Sequence, residues 1–422
     1  MNWSSIKENT TLAMATLVSH KFRAALTILG VFIGVLVIVF MAAVLNGFRQ
    51  TILDQANSFG TRNVYLWRYP FIVTGRIPPE VLNRKPLSLE NSKAIEREVT
   101  AAEYVAPGIP YQYMIPGMPP KLPPEVRYRD KVMSRPQVLG GFPVGERAMN
   151  VNLSGGRYFT DAENEHRATV CVLGFNVVEA LFPAEDPIGK TINLLGQNFE
   201  VVGTFEKLRT GPFGSENPDD NNLILPYYTL RKIIPSLDDH FIIVRMREGR
   251  MEEGIRQIEQ VLRRERKVPL NADNDFELAT PDSFIRTFDD ILGGVFFVMI
   301  FISSIAFVVG GVGVMNIMLV AVTERTREIG IRKAVGARRM DIIWQFLTEA
   351  VTLTCVGGMA GLLIGWFVSW AVTALWPDLN MVIPVWAAAA GFLGSVTVGL
   401  IFGIWPAFKA AGLDPIAALR YE

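Results

Sequence analysis

Four long runs without a charged side chain punctuate the chain: Ala24 to Val44, Ile291 to Thr323, Ala350 to Pro377 and Leu379 to Phe408. A polar block from Gly47 to Asp290 separates the first from the other three. Crossing the ~30 Å hydrocarbon core takes about 20 apolar residues as a helix, which satisfies its own backbone groups where no water can. The pattern therefore predicts four transmembrane helices, at 24–46, 291–323, 344–376 and 379–408, with one large domain at 47–290 inserted between the first two. The second run is worth about 50 Å of helix at ~1.5 Å per residue, so it is expected to continue past the membrane as a stalk.

Within the inserted block the periodicity changes to that of a mixed α/β domain. Asn63 to Trp67 and Phe241 to Met246 read as strands. Each is followed by a helix, Leu89 to Val99 behind the N-cap Ser88, and Met251 to Arg266 with Ile255, Ile258 and Leu262 on one face. These pieces predict one split lobe, about 60–125 and 240–285, around a strand-rich lobe at about 134–235. In the latter, Thr191 to Leu194 and Phe199 to Thr204 flank Gly196-Gln197, a hairpin signal. Pro107 to Pro143 carries nine prolines, which argues against a helix or an interior strand. The stretch is expected to be a surface connector. Alternatively Tyr111, Tyr113, Met114 and Met118 offer an adaptable apolar surface to a substrate or partner.

Charge orients the spans, because basic residues in short loops stay on the cytoplasmic side. Lys7, Lys21 and Arg23 precede the first span, and Arg325, Arg327, Arg332, Lys333, Arg338 and Arg339 lie between the second and third. The segments 1–23, 324–343 and 409–422 are thus expected inside and the large domain outside, in the periplasm or extracellular space. The first apolar run exceeds the roughly 7–15 residues of a signal-peptide core, so it reads as a retained anchor. With 41 basic and 41 acidic side chains the chain has no net charge, and nothing in it points to nucleic acid. Cys171 and Cys355 fall in different compartments and predict no disulfide framework.

Two segments imitate nucleotide-binding signatures. Ala184 to Thr191 ends Gly189-Lys190-Thr191, and Leu153-Ser154-Gly155-Gly156 resembles a transporter-ATPase signature. Pro187 offers no N–H to a phosphate, Glu185 and Asp186 would repel one, and the two motifs come in the wrong order. His20, His166 and His240 are dispersed, and Glu216, Asn217, Asp219 and Asp220 read as a solvated acidic loop more readily than as a calcium site. No catalytic, cofactor or metal site is predicted. The runs themselves lack Asp, Glu, Lys and Arg, unlike gradient-driven transporters, so energy for movement is expected from a partner. Gly30 and Gly34, Gly310, Gly311 and Gly313, and Gly357, Gly361 and Gly365 are spaced as helix-packing surfaces.

The loop Thr323-Glu-Arg-Thr-Arg-Glu-Ile-Gly330-Ile-Arg-Lys-Ala-Val-Gly336-Ala-Arg-Arg and the ending Pro406-Ala-Phe-Lys-Ala-Ala-Gly-Leu-Asp-Pro415-Ile-Ala-Ala-Leu-Arg-Tyr-Glu closely resemble segments of MacB/FtsX-type ABC transporter permeases. Lys21 to Gly34, Asp186-Pro-Ile-Gly-Lys-Thr and Phe199-Glu-Val-Val-Gly203 are similar to the family's first span and outer domain. The resemblance implies a homodimer, an outer domain of two lobes called Porter and Sabre, and a separate cytoplasmic ATPase holding ATP and Mg. It also implies efflux by mechanical transmission, with a periplasmic adaptor and outer-membrane exit duct as further partners beside membrane lipid. Regulation of an extracytoplasmic cell-wall hydrolase, as in FtsX-like proteins, and lipoprotein release are the alternatives. Independently, mixed charge interleaved with Ile329, Ile331, Ala334 and Val335 suits a short amphipathic helix docking into a partner's cleft. Glu324, Arg325, Arg327, Glu328, Ile329, Gly330, Arg332, Lys333, Gly336, Arg338 and Arg339 form the expected ATPase-coupling set.

The orientation is testable by labelling intact cells with an impermeant thiol reagent. A cysteine at Asn217 is expected to react and one at Ala337 to stay silent until lysis; labelling at Ala337 without lysis would contradict the topology.

Overall fold

The computed structural model describes residues 21–58, 60–70, 77–111, 124–149, 152–208, 217–376 and 381–419. Tyr113, Met114, Met118, Glu216 and His20 lie outside the described residues. The helices are α1 Lys21–Ser58, α2 Pro79–Leu82, α3 Leu89–Glu98, α4 Gly145–Met149, α5 Asp161–Glu165, α6 Phe175–Leu181, α7 Tyr227–Ile233, α8 Met251–Glu265, α9 Pro281–Glu324, α10 Thr326–Ala334, α11 Arg339–Leu375, α12 Val385–Gly412 and α13 Pro415–Leu419. The strands are β1 Asn63–Trp67, β2 Ala102–Pro110, β3 Glu125–Tyr128, β4 Lys131–Ser134, β5 Gln137–Gly141, β6 Leu153–Gly156, β7 Val170–Leu173, β8 Thr191–Leu194, β9 Gln197–Phe205, β10 Asn222–Pro226, β11 Phe241–Met246 and β12 Glu277–Ala279. They form two compact units, a membrane unit (Met1–Gln50 with Phe288–Glu422) and an inserted unit (Thr51–Thr287).

Among the described residues four helices, α1, α9, α11 and α12, are long and apolar enough to span a membrane. Helix α9 runs 44 residues without interruption and starts ten residues before its apolar run. Helix α12 starts later than the run that predicted it, at Val385 rather than Leu379, because Pro384 in extended backbone is its N-cap. Glycines set the distances between these helices. A Cβ on Gly30 would lie 2.6 Å from the Gly310 Cα, and one on Gly361 would lie 2.8 Å from the Phe32 carbonyl oxygen. Gly357 meets the Ile28 carbonyl and Gly365 the Val39 side chain, while Gly34 meets the ring of Phe307 and Gly311 that of Phe402. Gly313 lies within the same helix as Gly310 and Gly311. Val31, Val35 and Val39, one turn apart on α1, are fully buried between these backbones. At one end of the bundle Arg49 donates from Nε and Nη2 to the two carboxylate oxygens of Asp289, at 2.7 and 3.2 Å.

The inserted unit is built on one twelve-stranded mixed sheet, in the order β12-β1-β11-β2-β5-β10-β7-β9-β8-β3-β4, with β6 added to β9. Helices α3 and α8 cover β1 and β11, enclosing Val64, Leu66, Ile95, Ile242, Val244, Ile258 and Leu262. Ser88 caps α3 with a capping box, its hydroxyl accepting from the Asn91 N–H. A second core, including Leu173, Val177, Ile192, Phe199, Val201, Leu223 and Tyr227, fills the other lobe. Strands β3 and β4 join that lobe through β8, so it begins near Glu125, not near residue 134. The hairpin turns at Leu195-Gly196, one residue earlier than Gly196-Gln197, with both φ values positive at 52° and 77°. That is the type I′ geometry that matches strand twist.

The proline-rich stretch is a correction. Its start and end are strands, and β2 is an interior strand containing Pro107 and Pro110, paired with β11 on one side and β5 on the other. The Tyr111 N–H donates to the Val138 carbonyl at 2.9 Å, so odd positions of β2 point their amides at β5. Pro107 would do so too, but pairing with β5 starts only at Gly108. Pro110 faces β11, whose ladder starts at Phe241 opposite Gly108. Each missing donor therefore falls where the neighbouring strand does not run, and the usual penalty for proline in a sheet is avoided.

Asn217 is only 4% exposed, which makes it a poor labelling site; Gln197, at the exposed hairpin tip, takes its place in the topology experiment. The packing itself predicts a contrast. Gly310→Leu is expected to destabilise the bundle by about 1–3 kcal/mol through overpacking, whereas Gly294→Leu, with nothing within 4 Å of its Cβ, is expected to be neutral. Unfolding in mixed micelles measures both, and equal behaviour would contradict glycine-set packing.

Candidate functional site

The strongest candidate site is the segment joining α9 to α11. Helix α9 ends at Glu324, Arg325 leaves helical geometry with φ −102° and ψ 16°, and α10 begins at Thr326. The Thr326 hydroxyl donates back to the Val322 carbonyl at 3.0 Å, holding the corner. The Arg325 Nη1 donates to both carboxylate oxygens of Glu349, each at 3.3 Å. Glu349 is 3% exposed, and a buried carboxylate requires such a partner. It stands one residue before the third apolar run, so a search confined to the runs misses it; its neighbours Leu347, Ala350 and Leu353 are the signal that it faces inward.

Helix α10 has two faces. Ile329 is buried with Val314, Met318, Val322, Ile342 and Phe346. Gly330 lies so close to α13 that a Cβ would come within 2.8 Å of the Ala418 Cβ. The Lys333 ammonium donates to the carbonyls of Ala411 and Leu413, at 2.8 and 2.5 Å, satisfying backbone acceptors at the end of α12. Arg332 donates to Gln345 and to Glu328 one turn back. The Lys333 ammonium is engaged within the chain because the tail folds back along α10, whereas Arg332, bonded on α10 and α11, still lines the exposed side of the helix.

The opposite face, with Arg327, Glu328, Ile331, Ala334 and Val335, is exposed. Ile331 is 48% and Val335 85% exposed. A groove of about 370 Å³ runs beside it, lined by Ile331, Arg332, Val335, Ala337, Asp341, Ile342 and Gln345. The helix ends in a Schellman motif in which the Gly336 N–H donates to the Lys333 carbonyl and the Ala337 N–H to the Arg332 carbonyl. Gly336, at φ 108°, supplies the left-handed residue the motif needs. The Arg338 N–H then donates to the Asp341 carboxylate at 2.9 Å, starting α11. Glu324, Arg338 and Arg339 are exposed at the margins.

The remaining sequence candidates lie elsewhere. Gly189-Lys190-Thr191 opens strand β8, whereas a phosphate loop opens a helix whose N–H groups face the anion. Ser154 sits on β6 with its hydroxyl bonded to Thr204. His240 is buried between Tyr227 and the Leu87 carbonyl, and burial holds its imidazole below the usual histidine pKa. Asn217 caps the 3₁₀ turn Pro218–Asn221, and Asp220 accepts from the Leu208 N–H. Tyr111 is half-buried against the second core.

Residues 24–261 match the MacB-like periplasmic core domain and residues 300–415 the FtsX-like permease C-terminal domain. The chain is 32% identical over 421 residues to the macrolide export ATP-binding/permease protein MacB of Bdellovibrio bacteriovorus, covering 96% of this chain and 60% of that protein. It is 35% identical over 415 residues to the pyoverdine export ATP-binding/permease protein PvdT of Pseudomonas savastanoi pv. phaseolicola, covering 96% and 58%. The chain thus spans about 60% of the length of these relatives. The periplasmic region of MacB from Actinobacillus actinomycetemcomitans overlays with a TM-score of 0.44 at 17% identity, covering 56% of this chain and 97% of that one. Two family matches that between them take in both units place the chain in the MacB/FtsX-like family of ABC transporter permeases.

Proposed function

We propose that the chain is the permease part of an ATP-driven exporter of the inner membrane, receiving an ABC ATPase on the exposed face of α10. The observation that carries this reading is the two-faced helix. Ile329, Gly330 and Lys333 lock α10 to the bundle, while Ile331 and Val335 remain uncovered in a run of mixed charge. A small apolar knob rimmed by Arg327 and Glu328 suits a cleft on a protein partner, with the apolar centre giving affinity and the charged rim giving register. Displacement of α10 would be passed to α9 through the rigid corner at Arg325 and Thr326, and by α9 to the inserted unit.

In this reading ATP and Mg are bound by the ATPase and not by this chain. Export of a substrate is the function of the relatives by name, and the same output is proposed here with the substrate open. Phe297 and Phe301 of α9, 73% and 63% exposed, together with the rest of the apolar outer surface, would be shared between membrane lipid and a second copy of the chain. An adaptor and an exit duct complete the proposed assembly.

The test uses the full chain in nanodiscs with its ATPase. Ile331→Asp with Val335→Asp is expected to reduce stimulation of hydrolysis by about tenfold or more, since burying an unpaired charge in an interface costs over ~2 kcal/mol. Thermal unfolding should not change, because both residues face solvent. Lys333→Met should behave differently, with faster hydrogen exchange in Pro415–Leu419 as the tail loses its tether. Full stimulation by the double aspartate variant would contradict the docking face.

A further inference from the structure

Away from the Asn63–Arg245 pair, strands β1 and β11 are apolar on both faces. Val64, Leu66, Ile242 and Val244 point into the core beneath α3 and α8. The alternate residues of the same strands, Tyr65, Trp67, Phe241 and Ile243, point the other way. An antiparallel sheet with one solvated face carries polar residues there, so a second apolar face needs a cover. Helix α4 covers part of it through Ala148 and Met149. The remainder bounds a cavity of about 350 Å³ whose walls continue onto Leu139 of β5, Ile224 of β10 and Phe205 of β9. That volume lies within the range of small-molecule sites.

Asp219 and Asn222 also line this cavity. Asn222 is 6% exposed, and its side-chain oxygen has no hydrogen-bond partner among the described residues. A buried acceptor without a donor is costly, and its presence in a native fold calls for an explanation. Asp219 is hydrogen-bonded by the Asn222 side chain, and burial pushes its carboxyl above the usual range. Among the described residues no ion pair involves Asp219. The neighbouring polar groups are already committed, with Asn217 accepting from the Asp219 N–H and Asp220 from the Leu208 N–H. Among the described residues the cavity thus presents an aromatic and aliphatic body, a carboxylate that accepts from the Asn222 amide but has no cation beside it, and an amide oxygen without a donor.

We propose that this cavity is a binding site for a small apolar molecule bearing an amine. Its body lies against Tyr65, Trp67, Phe241 and Phe205, and its ammonium donates to the Asp219 carboxylate and the Asn222 oxygen. A cation supplies what an unpaired carboxylate in an apolar surround lacks, and an N–H donor satisfies the orphan amide oxygen. The site does not depend on the ATPase, so it stands or falls separately from the docking face.

Tryptamine and its uncharged analogue 3-ethylindole serve as probes, measured by equilibrium dialysis against the full chain in nanodiscs with empty nanodiscs subtracted. Tryptamine should bind saturably and more tightly than 3-ethylindole. Asp219→Asn should weaken tryptamine by about tenfold while leaving 3-ethylindole unchanged, which also shows that the variant is folded. Leu139→Trp, which fills the cavity, should remove both. Absence of saturable tryptamine binding overturns the proposal, as does an Asp219→Asn variant that binds tryptamine normally or loses the two probes equally.

Discussion

Lipid tails are as apolar as leucine, so no hydrophobic force draws helices together inside a membrane, and the bundle depends on how closely its backbones can approach. The contact of Gly30 with Gly310 fixes that approach between α1 and α9, and Gly357, Gly361 and Gly365 repeat it between α11 and α1. Dispersion contacts along Val31, Val35 and Val39 then become available because nothing larger stands between the helices. The charges gather at the margins of the bundle, in Arg49 with Asp289 and Arg325 with Glu349. The apolar runs hold no Asp, Glu, Lys or Arg to carry a proton or ion, which fits the proposal that the work is driven from outside them.

Both units leave apolar surface uncovered in a defined place. On α10 it is a narrow strip, because Gly330 and Lys333 draw the tail across one face and leave Ile331 and Val335 on the other. In the inserted unit it is a concave wall, because β1 and β11 are apolar on both faces away from the Asn63–Arg245 pair and α4 is too short to close the second one. The first shape suits a protein surface and the second a small molecule. The difference follows from curvature and from the polar groups, which are charges of both signs around α10 and a carboxylate beside an orphan amide oxygen in the cavity.

Local signals were readable wherever the determinant lay within a few residues. Ser88 announced α3, the apolar alternation announced β1 and β11, and the loop pattern between α9 and α11 pointed to its family. What stayed hidden depended on partners distant in sequence. Pro107 and Pro110 look incompatible with an interior strand until the offsets of β5 and β11 are known. Lys333 reads as a free cation until the tail, some eighty residues later, folds back to it. Glu349 was missed because a window drawn around uncharged residues stops one position short of it. Asp219 reads as part of an acidic loop, since the apolar wall it faces is assembled from strands as far apart in sequence as β1 and β11.

In the proposed mechanism α9 carries motion from the membrane unit to the inserted unit. The most direct test is electron–electron distance measurement between spin labels at Gln197→Cys in two copies of the chain, in nanodiscs with the ATPase, with Cys171 and Cys355 replaced by Ala. ATP should shift the distance distribution in the intact chain, and a flexible Gly-Ser-Gly-Ser segment inserted after Asp290 should abolish that shift while the ATPase remains bound. A shift of the same size across the interrupted helix would contradict transmission through α9.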